Sequence, residues 1–403
     1  MMFLPARALR LVNAASLLRI GAAVVLHSAP AGAQSVPARL ADTTFWRLMT
    51  EYSEPWGWFR SENFVSNETS MQWVIPELTR TIKPGGVYIG VAPDQNFNYV
   101  VALRPSIAFI VDIRHQNAVQ HLLFKALIEL SATRAEFLSR LFSRQPVVRL
   151  DTSYAAGAMA HAFMPARADS AMYRRNLAAV KDRLIKFHGF ALSDSEIVSL
   201  DCVFGAFYAH GTGLTYNHSS PCATPGMFSP GGGGRGSVSG PFGMPTFGAL
   251  MDETDGSGRN IGYLATEASY RVLKDMAERN LIVPLTGDFA GAKALRAVGK
   301  YARDHGATVT TFYVSNVEQY LWRQEDDASR FYQNVATLPV DATSTFIRSY
   351  SLSGAGFNVI AGTTFRQQSG RSIQLISSMQ ETVRSFVAGT LFSYGQVLQM
   401  SRQ

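Results

Sequence analysis

The sequence predicts an α/β protein built around a mostly parallel sheet, and three observations carry that reading. Short apolar runs rich in β-branched residues recur at Val87-Tyr-Ile-Gly-Val-Ala92, Ile107-Ala-Phe-Ile-Val-Asp-Ile-Arg114 and Thr308-Val-Thr-Thr-Phe-Tyr-Val-Ser-Asn316, the pattern of buried strands. Helical spacing separates them, as at Val119, Leu122, Leu123, Ala126, Leu127 and Leu130. Finally, 17% charged residues beside 47% hydrophobic ones in 403 residues suit a large sheet buried on both faces.

Taken in order, residues 34–84 form an aromatic-rich N-terminal flap. Trp46, Trp56, Trp58, Phe59, Phe64 and Trp73 stand among Ser, Glu and Asn. Large aromatic burial energies favour packing onto a core over a base-stacking role for such a cluster. The strand Val87–Ala92 follows Pro84-Gly85-Gly86, and Pro93-Asp-Gln-Asn96 turns into a short helix. The strand Ile107–Arg114 leads to a helix over Asn117–Leu130. An insertion, residues 131–265, continues with helices Arg134–Phe142 and Ala171–Phe187, then a Gly-rich loop over about 205–260 that includes the run Gly231–Gly234. Alternation resumes with a helix Glu267–Asn280, a strand Leu281–Phe289, a helix Gly291–His305 and the strand Thr308–Asn316, completing a domain over 85–325. Residues 326–403 supply a β segment, Thr345–Tyr350, and a final helix from about Ile373 to Val397.

A formal charge of +7 and a pI near 9.4 raise the question of nucleic acid. Residues 1–33 hold Arg7, Arg10 and Arg19 with no acid, then the apolar run Ile20–Leu26, then Ala31-Gly32-Ala33. That order is a secretory signal with cleavage expected after Ala33. Its removal leaves +4 over 370 residues, so no nucleic-acid partner is expected. The mature chain is expected to be periplasmic or secreted, with no later stretch long and apolar enough to span a bilayer. Cys202 and Cys222 then have two readings in an oxidising compartment: a disulfide closing the base of the Gly-rich loop, or a buried Cys202 beside Val203-Phe204 and a free Cys222. His210, His218 and Cys222 have spacings diagnostic of no metal site, and none is expected.

Open parallel sheets bind ligands outside the carboxyl ends of their strands. Polar residues collect at those ends: Asp94, Gln95 and Asn96 after the first strand, Asp112 and Arg114 at the second, Asp288 at the third, and Ser315, Asn316 and Glu318 at the fourth. Helix capping is the competing explanation, above all for Asp94 and Asp288.

Gly86-Val-Tyr-Ile-Gly-Val-Ala-Pro-Asp-Gln-Asn96, with Asp112 at the tip of the second strand, resembles the first two strands of class I S-adenosylmethionine-dependent methyltransferases. Phe59–Glu68, Ile110–Arg114, Gly287–Gly291 and Ser315–Leu321 also resemble an uncharacterised bacterial family with such a Rossmann-like core. The resemblance implies S-adenosylmethionine or another nucleoside-type small ligand, held by Gly90, Asp94, Gln95, Asn96, Asp112 and Arg114. Asp288, Asn316 and Glu318 would stand nearer the reacting group. Ala92 and Pro93 occupy places where further glycines are expected, and Val87-Tyr88-Ile89 lacks the usual early acid. Two other functions remain open: an exported ligand-binding or interaction protein that has lost the cofactor, and an exported hydrolase using acids of the same cleft, Asp94, Asp288 and Glu318.

Overall fold

A computed structural model describes residues 35–59, 61–217, 243–324, 326–351 and 372–402, which belong to one compact unit beginning at Gln34. The expected signal, most of the Gly-rich loop, His218 and Cys222 lie outside the described residues. Six strands form one sheet: β1 (Val87–Gly90), β2 (Ile107–Asp112), β3 (Ile282–Thr286), β4 (Val309–Ser315), β5 (Thr345–Ser351) and β6 (Ser372–Ser378). Their order is β3-β2-β1-β4-β5-β6. All neighbours are parallel except β5 and β6, which run antiparallel. The chain winds outward from β1 to β3 and crosses back to β4, so the winding direction reverses between β1 and β4. Such a reversal opens a crevice at the carboxyl ends of the two central strands.

The four parallel strands predicted from apolar runs all appear, and every residue of β1 and β2 is buried. Around them lie α1 (Asp42–Tyr52), α2 (Ile75–Thr81), α3 (Asn96–Leu103), α4 (His115–Glu129), α5 (Arg134–Phe142), α6 (Ala156–His161), α7 (Ser170–Lys181), α8 (Asp194–His210), α9 (Phe247–Met251), α10 (Glu267–Glu278), α11 (Ala294–Asp304), α12 (Val317–Leu321), α13 (Asp327–Val335), α14 (Met379–Val387) and α15 (Tyr394–Gln399). Polar residues set their starts: Thr133 caps α5 by accepting from the Glu136 N–H, and Ser193 with Glu196 makes a capping box on α8. None of the helices among the described residues is long and apolar enough to cross a membrane.

Three sequence expectations change. The helix expected over Ile373–Val397 begins as a strand: Ser372–Ser378 pairs residue for residue with Thr345–Ser351. Ile373 and Leu375 pack with Leu398 in a small apolar cluster of their own, and Gly389, at φ +65°, separates α14 from α15. The Gly-rich segment starts later than residue 205, because α8 runs on to His210 and stops at Gly211, φ +55°. The flap contains two helices, α1 and α2, whose apolar faces join the main core through Phe45, Leu48, Ile75 and Leu78. Cys202, on α8, is disulfide-bonded.

Between those helices the chain straps across the carboxyl edge of the sheet. The Glu54 N–H donates to Thr286 O at 2.8 Å and the Gly57 N–H to Ile113 O at 2.9 Å. A Cβ on Gly57 would lie 2.5 Å from Ile113 Cγ1, so a side chain here would have to displace that of Ile113. Glu54 then caps α11, its carboxylate accepting from the N–H groups of Lys293 and Ala294 at 2.5 and 2.7 Å.

Candidate functional site

A cleft of about 530 Å³ opens at the strand ends, a size typical of small-molecule sites. Val91, Ala92 and Gln95 line it after β1, Asp112–Arg114 at β2, Gly287–Phe289 after β3 and Ser315–Val317 at β4; Trp58 and Phe59 of the strap and Tyr320 and Arg323 complete the wall. Phe59 meets Tyr320 edge-on at 6.0 Å, whereas Trp58 is 59% exposed. The aromatic flap thus packs in part on the core and in part borders the cleft. A second concavity of about 450 Å³ lies among α2, α3 and α10, beside Arg104, whose carbonyl bonds the Gly85 N–H at the amino end of β1.

The turn after β1 is held from within. The Asn96 amide nitrogen lies 2.8–2.9 Å from the carbonyls of Val91, Ala92 and Pro93, and its oxygen accepts from the Tyr88 hydroxyl at 2.9 Å. This side chain fills the space over Gly90, where a Cβ would lie 1.9 Å from Asn96 Oδ1. Gly90 and Asn96, both expected to bind cofactor, therefore shape the turn rather than line the cleft. Ala92 itself sits at φ +69°, a conformation that strains an L-residue. His121 Nε2 lies 3.0 Å from its carbonyl. Burial depresses the His121 pKa to about 4 against that carbonyl bond, so the ring is neutral at pH 7 and donates. Asp94 is also removed from the cleft: it accepts from the buried Tyr263 hydroxyl at 2.8 Å, and burial, only partly countered by that bond, raises its pKa to about 6. Of the expected residues here, Gln95 alone reaches the cleft, with Nε2 3.4 Å from the Tyr313 hydroxyl.

At the tip of β2, Asp112 and Arg114 bind each other. Asp112 Oδ1 accepts from the Arg114 N–H and Nε, and Oδ2 from Nη2, at 2.9, 3.2 and 3.0 Å. Both side chains line the cleft and are about 6% exposed. Next to them, Asp288 lines the cleft with Asp327. Burial holds the Asp288 pKa up; an Ala290 N–H bond opposes this, and the charges of Asp327 and Glu54 reinforce it.

At β4, Ser315 has φ +55° and presents Asn316 to the cleft. The Ser315 and Tyr313 hydroxyls both donate to the carboxylate of Glu68, which is 3% exposed. Burial raises the Glu68 pKa, with the bonds from Ser315, Tyr313 and Ser349 opposing. Glu318, expected near the reacting group, points elsewhere. It is 1% exposed and forms an ion pair with the fully buried Arg348 while accepting from the Tyr332 hydroxyl at 2.6 Å.

Asp94, Asp288 and Glu318, the acids of the hydrolase expectation, are therefore not joined by one pocket. A different hydroxyl–imidazole–carboxylate line exists: Thr286 Oγ1 lies 2.8 Å from His115 Nδ1, and His115 Nε2 lies 3.0 Å from Glu196. Thr286 is 1% exposed beneath the strap, so its hydroxyl cannot meet a substrate. Sequence reasoning missed Glu68, Tyr313 and Trp58 as neighbours of the site. Glu68 falls in a loop with no strand-end signal, and Tyr313 reads as a core residue of its strand.

No curated protein matches the chain. Residues 63–190 and 248–388, the two stretches on either side of the Gly-rich segment, match a domain of unknown function, DUF7790, and the chain belongs to that family.

Proposed function

We propose that the strand-end cleft binds a nucleoside-type small molecule, S-adenosylmethionine foremost, and transfers its methyl group to an acceptor, with an exported binding protein as the second reading. One observation carries the reading. The cleft runs along four parallel strand ends at the reversal between β1 and β4, where open α/β sheets bind ligands. The order β3-β2-β1-β4-β5 followed by an antiparallel strand supports kinship with the methyltransferase-like Rossmann core.

The lining fits such a ligand. Asp112 Oδ2 carries one bond from Arg114 and keeps acceptor capacity for a hydroxyl. Trp58 lines the cleft from the strap, on the side where a base would lie. When bound, S-adenosylmethionine supplies the electrophilic methyl group. The chain's own part is to orient the nucleoside at Asp112, to exclude water with Trp58 and Phe59, and to accept a proton at Asp288, whose raised pKa suits that task. A binding role without transfer has one observation in its favour. Asp94 and Glu318 are committed to Tyr263 and Arg348, which leaves Asp288 as the expected acid free for proton transfer at the cleft wall.

Calorimetric titration with S-adenosylmethionine and its demethylated product tests the proposal, with saturable binding of both expected. Absence of binding at millimolar ligand overturns it. N-terminal sequencing separates the two roles: an exported chain starting at Gln34 is cut off from a cofactor made in the cytoplasm, which favours binding over transfer.

A further inference from the structure

Two buried acids stand behind the β1–β4 end of the cleft without a cation. The carboxylate of Glu68 is met by hydroxyls, from Tyr313 and Ser315 on β4 and Ser349 on β5. Glu253 accepts from the backbone N–H groups of Ser70 and Met71 at 2.9 and 3.3 Å. Neither acid has an ion pair among the described residues, although the buried arginines at neighbouring strand ends are paired: Arg114 with Asp112 and Arg348 with Glu318. A buried carboxylate without a counter-charge is costly. The cost falls when a cation arrives nearby, and Ser315 both lines the cleft and holds the Glu68 carboxylate.

We infer that the cleft selects a ligand carrying a positive charge at its β1–β4 end, with Glu68 supplying the opposing charge from beneath Ser315. The inference deepens the nucleoside reading and rests on it: the base and ribose lie toward Asp112 and Trp58, and the cationic part of the ligand lies toward Ser315. Glu68 does not touch the ligand. It is a positioning residue that fixes the Ser315 hydroxyl and sets the sign of the local field.

The groups facing Glu68 separate its charge from theirs. The Tyr313 phenol and that of Tyr99 on α3 are pushed well above the ordinary tyrosine value, by burial first and by the Glu68 charge second, so they stay neutral from pH 5 to 8. Glu253 titrates in that range. Burial raises its pKa to about 7, with the Ser70 and Met71 N–H groups opposing and the Glu68 charge adding. Glu253→Gln is therefore the background in which the Glu68 charge is read alone.

The test is calorimetric titration of the full chain with three probes: S-adenosylmethionine, which has a sulfonium, an ammonium and a carboxylate; its demethylated product, which keeps the ammonium and the carboxylate; and 5′-methylthioadenosine, which has none of the three. Affinity should fall roughly tenfold from S-adenosylmethionine to its demethylated product, the step that removes one positive charge. In Glu68→Gln that difference should flatten while 5′-methylthioadenosine binds as before, a pattern that a merely structural role would not give. In the wild type and in Glu253→Gln, the preference for the more positive probe should grow with rising pH, the direction in which a carboxyl held up by burial becomes an anion. That series decides the matter even if Glu68→Gln does not fold. Equal affinity for S-adenosylmethionine and its demethylated product in the wild type, or a preference that shrinks as pH rises, overturns the inference and leaves nucleoside binding standing. Failure of all three to bind overturns both.

Discussion

Glu68 and Glu318 are both buried carboxylates beside the end of β4, and they are satisfied in opposite ways. Glu318 has a guanidinium, Arg348, on each oxygen and the Tyr332 hydroxyl as well. Glu68 has hydroxyl donors and, among the described residues, no cation. Equal burial therefore leads to different properties. The paired acid is a structural part that ties α12 to β5. The acid held by hydroxyls keeps a raised affinity for a proton and remains sensitive to any charge brought into the cleft. A strand end rich in acids thus contains one that closes the fold and one that stands behind the cleft wall, and only the partner tells them apart.

The largest expected effect breaks the structural member. Glu318→Ala leaves Arg348 fully buried without its counter-ion and should cost about 3–5 kcal/mol of stability, read from denaturant midpoints. Glu68→Gln keeps shape and hydrogen-bonding capacity and should cost less than about 1 kcal/mol. Equal costs would remove the distinction.

A second, smaller effect concerns Glu253. Its folded pKa lies above its unfolded value of 4.5, at about 7, so the folded state holds the proton more tightly. The associated stability is present below pH 4.5 and is lost as pH rises through 7. Glu253→Gln should therefore leave stability at pH 4 unchanged and raise it at pH 8 by about 3 kcal/mol. A variant less stable at pH 8 than the wild type would show that Glu253 is a needed anion.

The smallest effect on stability is expected at Trp58. Because its ring is 59% exposed, Trp58→Ala should change stability by no more than about 0.5 kcal/mol. It should nonetheless weaken nucleoside binding roughly tenfold, as loss of one stacking partner does. Unchanged affinity would return Trp58 to the surface.

Strands β1 to β4 were legible in the sequence because almost every residue in them is buried, which demands runs dominated by apolar and β-branched residues. The edge strand β6 was not: Ser372–Ser378 mixes Ser and Gln with Ile and Leu, and its pairing with β5 is a long-range fact that local spacing does not record. The same limit governs the site. That polar residues gather at the carboxyl ends could be read along the chain, and Gln95, Asp112, Arg114, Asp288 and Asn316 do line the cleft. Whether such a residue faces outward depends on its partner. Tyr263 takes Asp94 inward from a loop 169 residues away, Arg348 takes Glu318, and Asn96 turns back on its own carbonyls. Gly90 was read as room for a cofactor and is instead room for Asn96.

A crystal structure of the chain soaked with S-adenosylmethionine tests most directly whether the strand-end cleft is a nucleoside site. The base is expected beside Trp58 and Asp112 and the charged tail beside Ser315. A ligand in the concavity between α2 and α10, or a strand-end cleft without ligand at saturating concentration, would contradict it.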